Sequence, residues 1–408
     1  MPSWQSSLSA LDRYGAIRNI QASLSASTAA TDAVSIEHEA FQTSSSLEEY
    51  KAACNGAARE PFQDAIAANQ PSHDDNVDSP PGIRIGAYNG CVFISEGVTS
   101  QVFRCGEFAL KVITSHRSME PHNPQREAKI LSVLRPPCIP LLDVFRDQEQ
   151  QLVLRFPYMP LTLDQLLHDS DSCLSGAQLR AIFTDVLRAL DDIHARGIIH
   201  RDIKPSAVLL KSPNGPAFLS DFGTAWHPDL SRASEPATDK ILDIGTGPYR
   251  APEVLFGNKA YGTPVDMWAL GVMLAEAIRS PPVPPFESRP VDEDGNQLGL
   301  ILSVFKTLGT PTPDTWPEAR NFKVSPFELW TVFPPRPWAE ILPDVDPSFR
   351  DLVAALVRYD GQRASATAGA RPRIAEAYGA QVLEIREIAT EAVAAGVILD
   401  PLQALLKI

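Results

Sequence analysis

The chain has 408 residues, 44% of them hydrophobic, and a formal net charge of -14 at neutral pH. That length and apolar share can bury a substantial core and suit one large two-lobed domain with extensions. The acidic balance, with a pI near 5.1, argues against nucleic acid or anionic membrane as general partners, because the overall field repels polyanions.

Residues 1 to 81 are rich in Ser, Ala, Asp and Glu, with loosely helical patches only at Leu8 to Ile20 and Phe41 to Ala53. They read as a mobile arm with transient helix. Asp78-Ser79-Pro80-Pro81-Gly82 is a stiff loop signal and a domain boundary. Beyond it, Cys91 to Ile94, Gln101 to Phe103 and Glu107 to Ile113 read as short strands, with Cys105-Gly106 turning between the last two. Gln125 to Leu134 has helical spacing, and Gln151 to Phe156 is a further strand-like run. After Met159 helical patterns dominate, notably Leu179 to Ala195 and Val265 to Ile278. A strand-rich part followed by a helical part implies two lobes with a cleft between them. Residues 368 to 408 contain helix formers and read as a tail.

The five cysteines, Cys54, Cys91, Cys105, Cys138 and Cys173, are odd in number and lack C-x-x-C spacing, so neither a zinc site nor a disulfide framework is expected. A reducing compartment, cytoplasm or nucleus, fits that usage. The opening residues lack a basic segment followed by an apolar run, and no apolar stretch is long enough to cross a bilayer.

Three motifs follow in order: His200-Arg201-Asp202-Ile203-Lys204-Pro205-Ser206-Ala207, Asp221-Phe222-Gly223 and Ala251-Pro252-Glu253. From Ile85 to Ala366 the chain resembles the eukaryotic protein kinases. The resemblance implies an α+β, two-lobed protein kinase fold, with a small antiparallel β-rich lobe over 85–158 and a larger helical lobe over 159–367. A mostly disordered extension, 1–84, and the tail, 368–408, flank it. It implies an ATP-dependent serine/threonine protein kinase with ATP and Mg2+ as cofactors and a protein as substrate.

The resemblance also assigns roles. Asp202 would accept or orient the substrate hydroxyl proton, Lys204 would neutralise the migrating phosphoryl group, and Asp221 would hold magnesium. Lys111 would grip the nucleotide phosphates, paired with Glu127. Thr246 would hydrogen-bond Asp202 and Lys204, Gly247-Pro248 would line the substrate pocket, Glu253 would pair with Arg363, and Asp266 would anchor the catalytic loop. Val102 and Ala109 would roof the adenine above Leu209. Phe156 would be the gatekeeper, Pro157 would offer a hinge carbonyl and Met159 a hinge N–H.

Two departures stand out. Ala207 occupies the position of a metal-binding asparagine, and Ser95-Glu96-Gly97-Val98-Thr99-Ser100 keeps only Gly97 of the glycine-rich phosphate loop. They leave a second reading, a pseudokinase acting as a binding or scaffolding protein. Tyr249 to Gly257, Val265 to Trp268, Gln297 to Ile301 and Leu308 to Pro313 resemble the cyclin-dependent kinase branch. Glu235 to Gly247 resembles its fungal, cyclin-independent CDK-activating members, which implies cell-cycle kinases as substrates, no cyclin and a monomer. Lys240 to Asp243 carries no hydroxyl, so Asp243, and secondarily Asp239, is expected to supply a permanent negative charge to Arg201.

Overall fold

A computed structural model describes residues 40, 44, 46–57, 82–115, 119–169, 174–288, 297–328 and 331–361. The chain divides into two compact units, Met1–Asp78 and Ser79–Ile408. In the first, helix α1 (Leu47–Ala57) overlaps the second loosely helical patch, running past its expected end at Ala53, and buries Tyr50 and Cys54, one turn apart on one face. The first patch lies outside the described residues, as does the tail.

The second unit begins with a six-stranded antiparallel sheet: β1 (Ile83–Ile85), β2 (Tyr88–Glu96), β3 (Ser100–Cys105), β4 (Phe108–Ile113), β5 (Asp143–Arg146) and β6 (Leu152–Pro157), in spatial order β1-β2-β3-β4-β6-β5. Gly106 turns β3 into β4 with φ of 59°, a left-handed conformation that a side chain would disfavour. One face packs Ile85, Cys91, Phe103, Leu110, Val112 and Val153 into a small core. β1 and β5 are short, charged edge strands without clear alternation, so pattern alone did not single them out.

Between β4 and β5 runs helix α2 (Pro124–Leu131). Asn123 caps its start by accepting from the Arg126 N–H, and Pro124 sits at the first turn, where no N–H is needed. The expected helix reached Leu134, whereas the observed one stops three residues earlier, ahead of Pro136-Pro137, which cannot continue it.

The helical part contains α3 (Leu163–His168), α4 (Gly176–Ala195), α5 (Pro252–Leu255), α6 (Pro264–Ala277), α7 (Leu298–Leu308), α8 (Trp338–Ile341) and α9 (Pro347–Leu356). Capping boxes start α3 at Thr162 and α4 at Ser175. Every residue of α6 from Val265 to Ala277 is buried, as expected of a helix apolar all round. Gly271 lets α9 approach it closely: a Cβ there would stand 2.7 Å from both Leu356 and Val357. A small sheet, β7 (Leu161–Thr162), β8 (Val208–Leu210) and β9 (Ala217–Leu219), carries the segments on which the site is built.

Candidate active site

Lys111 projects from β4 and Glu127 from α2. The Lys111 ammonium lies 2.8 Å from one Glu127 carboxylate oxygen and 2.9 Å from the other, with Glu127 buried. A third contact, 3.2 Å, reaches Asp221, whose side chain is 50% exposed. Burial alone would lower the Lys111 pKa, but the Glu127 and Asp221 carboxylates outweigh it and hold the ammonium above its usual range. Lys111 pulls Asp221 down to about 2, against the effect of burial and with help from Lys204. Burial pushes Glu127 upward, the Lys111 ammonium opposing it.

Asp221 is presented by an unusual backbone, φ 61° and ψ 63°. Phe222 beside it is fully buried, edge-on to the His200 ring at a centroid distance of 4.8 Å. With Phe222 locked inward, Asp221 points to Lys111. The Gly223 carbonyl accepts from the Asn123 N–H at 2.9 Å, so this segment is tied to the start of α2 and to the helix bearing Glu127.

The catalytic loop hangs from α6. Asp266 accepts from the backbone N–H groups of His200 and Arg201, both at 2.8 Å, and contacts His194 Nε2 at 2.8 Å. Burial would raise its pKa, but these hydrogen bonds and the neighbouring imidazoles keep it below the ordinary value. Asp202, the next residue, accepts from Lys204 Nζ at 2.6 Å and from Thr246 Oγ1 at 2.6 Å. Lys204 also reaches Thr246 Oγ1 at 3.3 Å. Asp202, Lys204 and Thr246 therefore form a closed triangle at the cleft. A carboxylate held by two donors, beside an ammonium group, can orient a hydroxyl and spread charge on an acceptor.

Strand register brings the expected nucleotide residues together. Val102 pairs with Lys111, Ala109 with Phe156 and Phe108 with Pro157. Val102, Ala109, Phe156, Pro157 and Leu209 are half-buried and Met159 is buried. Gly97 sits between β2 and β3, where its N–H donates to the Ser100 carbonyl at 2.7 Å. A Cβ at Gly97 would meet Ser100 only at 3.7 Å, an ordinary contact, so this turn closes without requiring glycine.

Magnesium takes one or two carboxylates and completes its shell with phosphate oxygens and water. Asp221 would supply one carboxylate. At Ala207 the side chain brings no oxygen, and the carbonyl already accepts from the Ser220 N–H at 2.9 Å and hydroxyl at 2.8 Å. Among the described residues no group of three or more His, Cys, Asp or Glu side chains forms a cage. The set fits a magnesium ion carried on nucleotide phosphates.

One expectation fails. Arg201 is paired with Glu235, not with Asp243 or Asp239: its guanidinium donates to Glu235 Oε1 at 2.9 Å, with the two side chains 0% and 1% exposed. Asp243, 88% exposed, instead accepts from Arg250 at 3.2 Å, and Asp239 from Lys259 at 2.7 Å. Trp226 Nε1 donates to the Glu235 carbonyl at 3.0 Å, which ties the backbone at Glu235 to the start of the segment. Sequence reasoning passed over Glu235 because it lies well upstream of Thr246, although a glutamate preceding a proline in this segment was visible. The expected Glu253–Arg363 pair involves Arg363, outside the described residues.

The motifs and their geometry define a protein kinase. A family model described as the protein kinase domain matches residues 88–371, and the chain belongs to that family. It is similar to the serine/threonine-protein kinase csk1 of Schizosaccharomyces pombe (strain 972 / ATCC 24843), 35% identical over 288 residues, covering 66% of this chain and 88% of that one. Its fold is also that of a chain in the crystal structure of the yeast RNA Pol II CTD kinase CTDK-1 complex, with TM-score 0.56, 24% identity, 67% of this chain and 88% of that chain covered. The chain is a serine/threonine protein kinase.

Proposed function

We propose that the chain transfers the γ-phosphoryl group of ATP, delivered with Mg2+, to a threonine or serine in the activation segment of cell-cycle kinases, as a monomer that needs no cyclin. The observation that carries this reading is the continuous chain of contacts Glu127–Lys111–Asp221 beside the triangle Asp202–Lys204–Thr246. In this reading Lys111 steadies the phosphates and Asp221 holds the metal. Asp202 orients the attacking hydroxyl and takes its proton, while Lys204 balances charge on the transferring group. Thr246 keeps Asp202 and Lys204 in register. Val102, Ala109 and Leu209 enclose the adenine, with Phe156, Pro157 and Met159 along the hinge. With such substrates the protein would work in the cytoplasm or nucleus.

Ala207 favours the alternative of a scaffolding pseudokinase, since it removes one metal ligand. The assembled site and the ionised Asp221 support activity. Thermal unfolding of the full-length protein with ATP, with and without magnesium, followed by transfer to an inactive cyclin-dependent kinase, separates the two. Magnesium-dependent stabilisation with transfer supports the enzyme; stabilisation or none, without transfer, supports the scaffold.

A further inference from the structure

Arg201 follows His200 and precedes Asp202, so whatever fixes its side chain also fixes the start of the proposed catalytic loop. Its charge lies in the interior, where an uncompensated guanidinium is strongly destabilising. In many kinases an arginine at a comparable place is compensated by a phosphate added to the activation segment, which orders that segment. Here the place is occupied. One guanidinium nitrogen donates to both Glu235 oxygens and, at 3.1 Å, contacts the Tyr261 hydroxyl.

The surroundings close around that pair. Glu235 Oε2 accepts from the Ile241 N–H at 3.3 Å, and the Tyr261 hydroxyl donates to the Ile241 carbonyl at 2.7 Å. Lys240 lies 4.7 Å from the Trp226 ring centroid and 5.2 Å from that of Tyr261, and donates to the Tyr261 carbonyl at 2.8 Å. Next to Glu235, the exposed Ser234 hydroxyl donates to Glu120 at 3.4 Å. Glu120 in turn holds Arg126, the neighbour of Glu127, at 2.9 Å. The segment is thus anchored through Arg201 to the catalytic loop and, more lightly, through Glu120 to α2.

We propose that Glu235 is a positioning residue: its buried carboxylate on Arg201 permanently holds the activation segment and catalytic loop in the transfer-ready arrangement, without phosphorylation. This rests on the kinase reading above. Buried against Arg201, Glu235 acts through that residue and the loop that carries Asp202.

The test uses full-length protein made in bacteria, treated with phosphatase and confirmed unphosphorylated by mass. Wild type is compared with Glu235→Gln, Glu235→Asp and Glu235→Ala, and with Asp243→Asn as a control. Rates of transfer, KM for ATP and cleavage within residues 227–245 by a trace protease are measured. We expect Glu235→Gln to lower kcat at least tenfold while KM for ATP stays within about twofold. We expect Glu235→Asp to recover part of the loss, sodium formate to restore Glu235→Ala saturably, and Asp243→Asn to match wild type. Cleavage of the segment should accelerate in Glu235→Gln and Glu235→Ala alone. Wild-type activity that appears only after phosphorylation of Thr238 or another segment residue overturns the proposal, as does a Glu235→Gln protein with wild-type kcat. Protease protection reports independently of catalysis. Were wild type inactive in every state, the kinase reading would fail, while equal protection of wild type and Glu235→Gln would separately overturn the role of Glu235.

Discussion

Lys111 stands between two carboxylates, 2.8 Å from buried Glu127 and 3.2 Å from half-exposed Asp221, so one cation joins the small-lobe helix to the Asp221-Phe222-Gly223 segment. The two partners are not equivalent. Glu127 depends on Lys111 for its charge in the interior, whereas Asp221 also faces the cleft, where a metal and phosphates would compete for it.

Removing the cation should therefore cost stability through Glu127 and catalysis through both. Lys111→Met leaves a buried carboxylate unpaired and should destabilise the fold by about 3–5 kcal/mol. Adding Glu127→Leu removes the stranded charge and should return most of that stability without returning activity. Urea unfolding of the single and double variants, alongside transfer rates, checks both halves. A double variant that is both stable and active would show that Lys111 has no role with the phosphates.

The metal site should respond to a restored oxygen. Ala207→Asn offers a hard ligand beside Asp221, so transfer should quicken and the magnesium concentration for half-maximal rate should fall, by roughly several-fold. Asp221→Asn should abolish transfer. A magnesium titration of each variant decides, and an Ala207→Asn protein indistinguishable from wild type would mean that another group completes the shell.

Thr246 joins Asp202 and Lys204, and hydrogen bonds to charged groups contribute about 1.5–3 kcal/mol. Thr246→Ala should thus lower kcat by roughly 10- to 100-fold, with KM for ATP little changed, and Thr246→Ser should restore much of it. Steady-state kinetics with varied ATP gives the split. A change confined to KM for ATP would place Thr246 in nucleotide binding instead.

The depressed pKa of Asp221 carries a pH signature. Its folded value, about 2, lies below the ordinary 3.8, so its contribution to stability is complete above about pH 3.8 and is lost as pH falls through about 2. The difference in unfolding free energy between wild type and Asp221→Asn should be constant near neutrality and shrink as pH falls below about 4. Chemical denaturation at matched pH values reads it. A difference that grows on acidification would mean that Lys111 does not stabilise the ionised form.

Much of this site was legible because its chemistry is written in contiguous strings. The residues from His200 to Lys204 and from Asp221 to Gly223 are contiguous motifs of the kinase family, and the resemblance also assigned Asp266 its anchoring role within a buried helix. Lys111 and Glu127 were legible by order along the chain. Glu235 was not, because the choice among Glu235, Asp239 and Asp243 depends on how Trp226 and Tyr261 fold the segment back on itself. That is a long-range contact with no local periodicity. The edge strands β1 and β5 were missed for a related reason: with Asp143, Arg146 and Arg84 among so few residues, burial leaves little alternation to read.

One unmodified chain, we propose, holds a working phosphoryl-transfer site directed at another kinase. The direct measurement is single-turnover transfer from radiolabelled ATP, using unphosphorylated full-length protein and an inactive cyclin-dependent kinase, with Asp202→Asn as the blank. Expected are magnesium-dependent label on the activation-segment threonine, none when that threonine is alanine, none with Asp202→Asn, and no gain on adding a cyclin. Label that appears only with a cyclin, or that persists at full rate in Asp202→Asn, would contradict it.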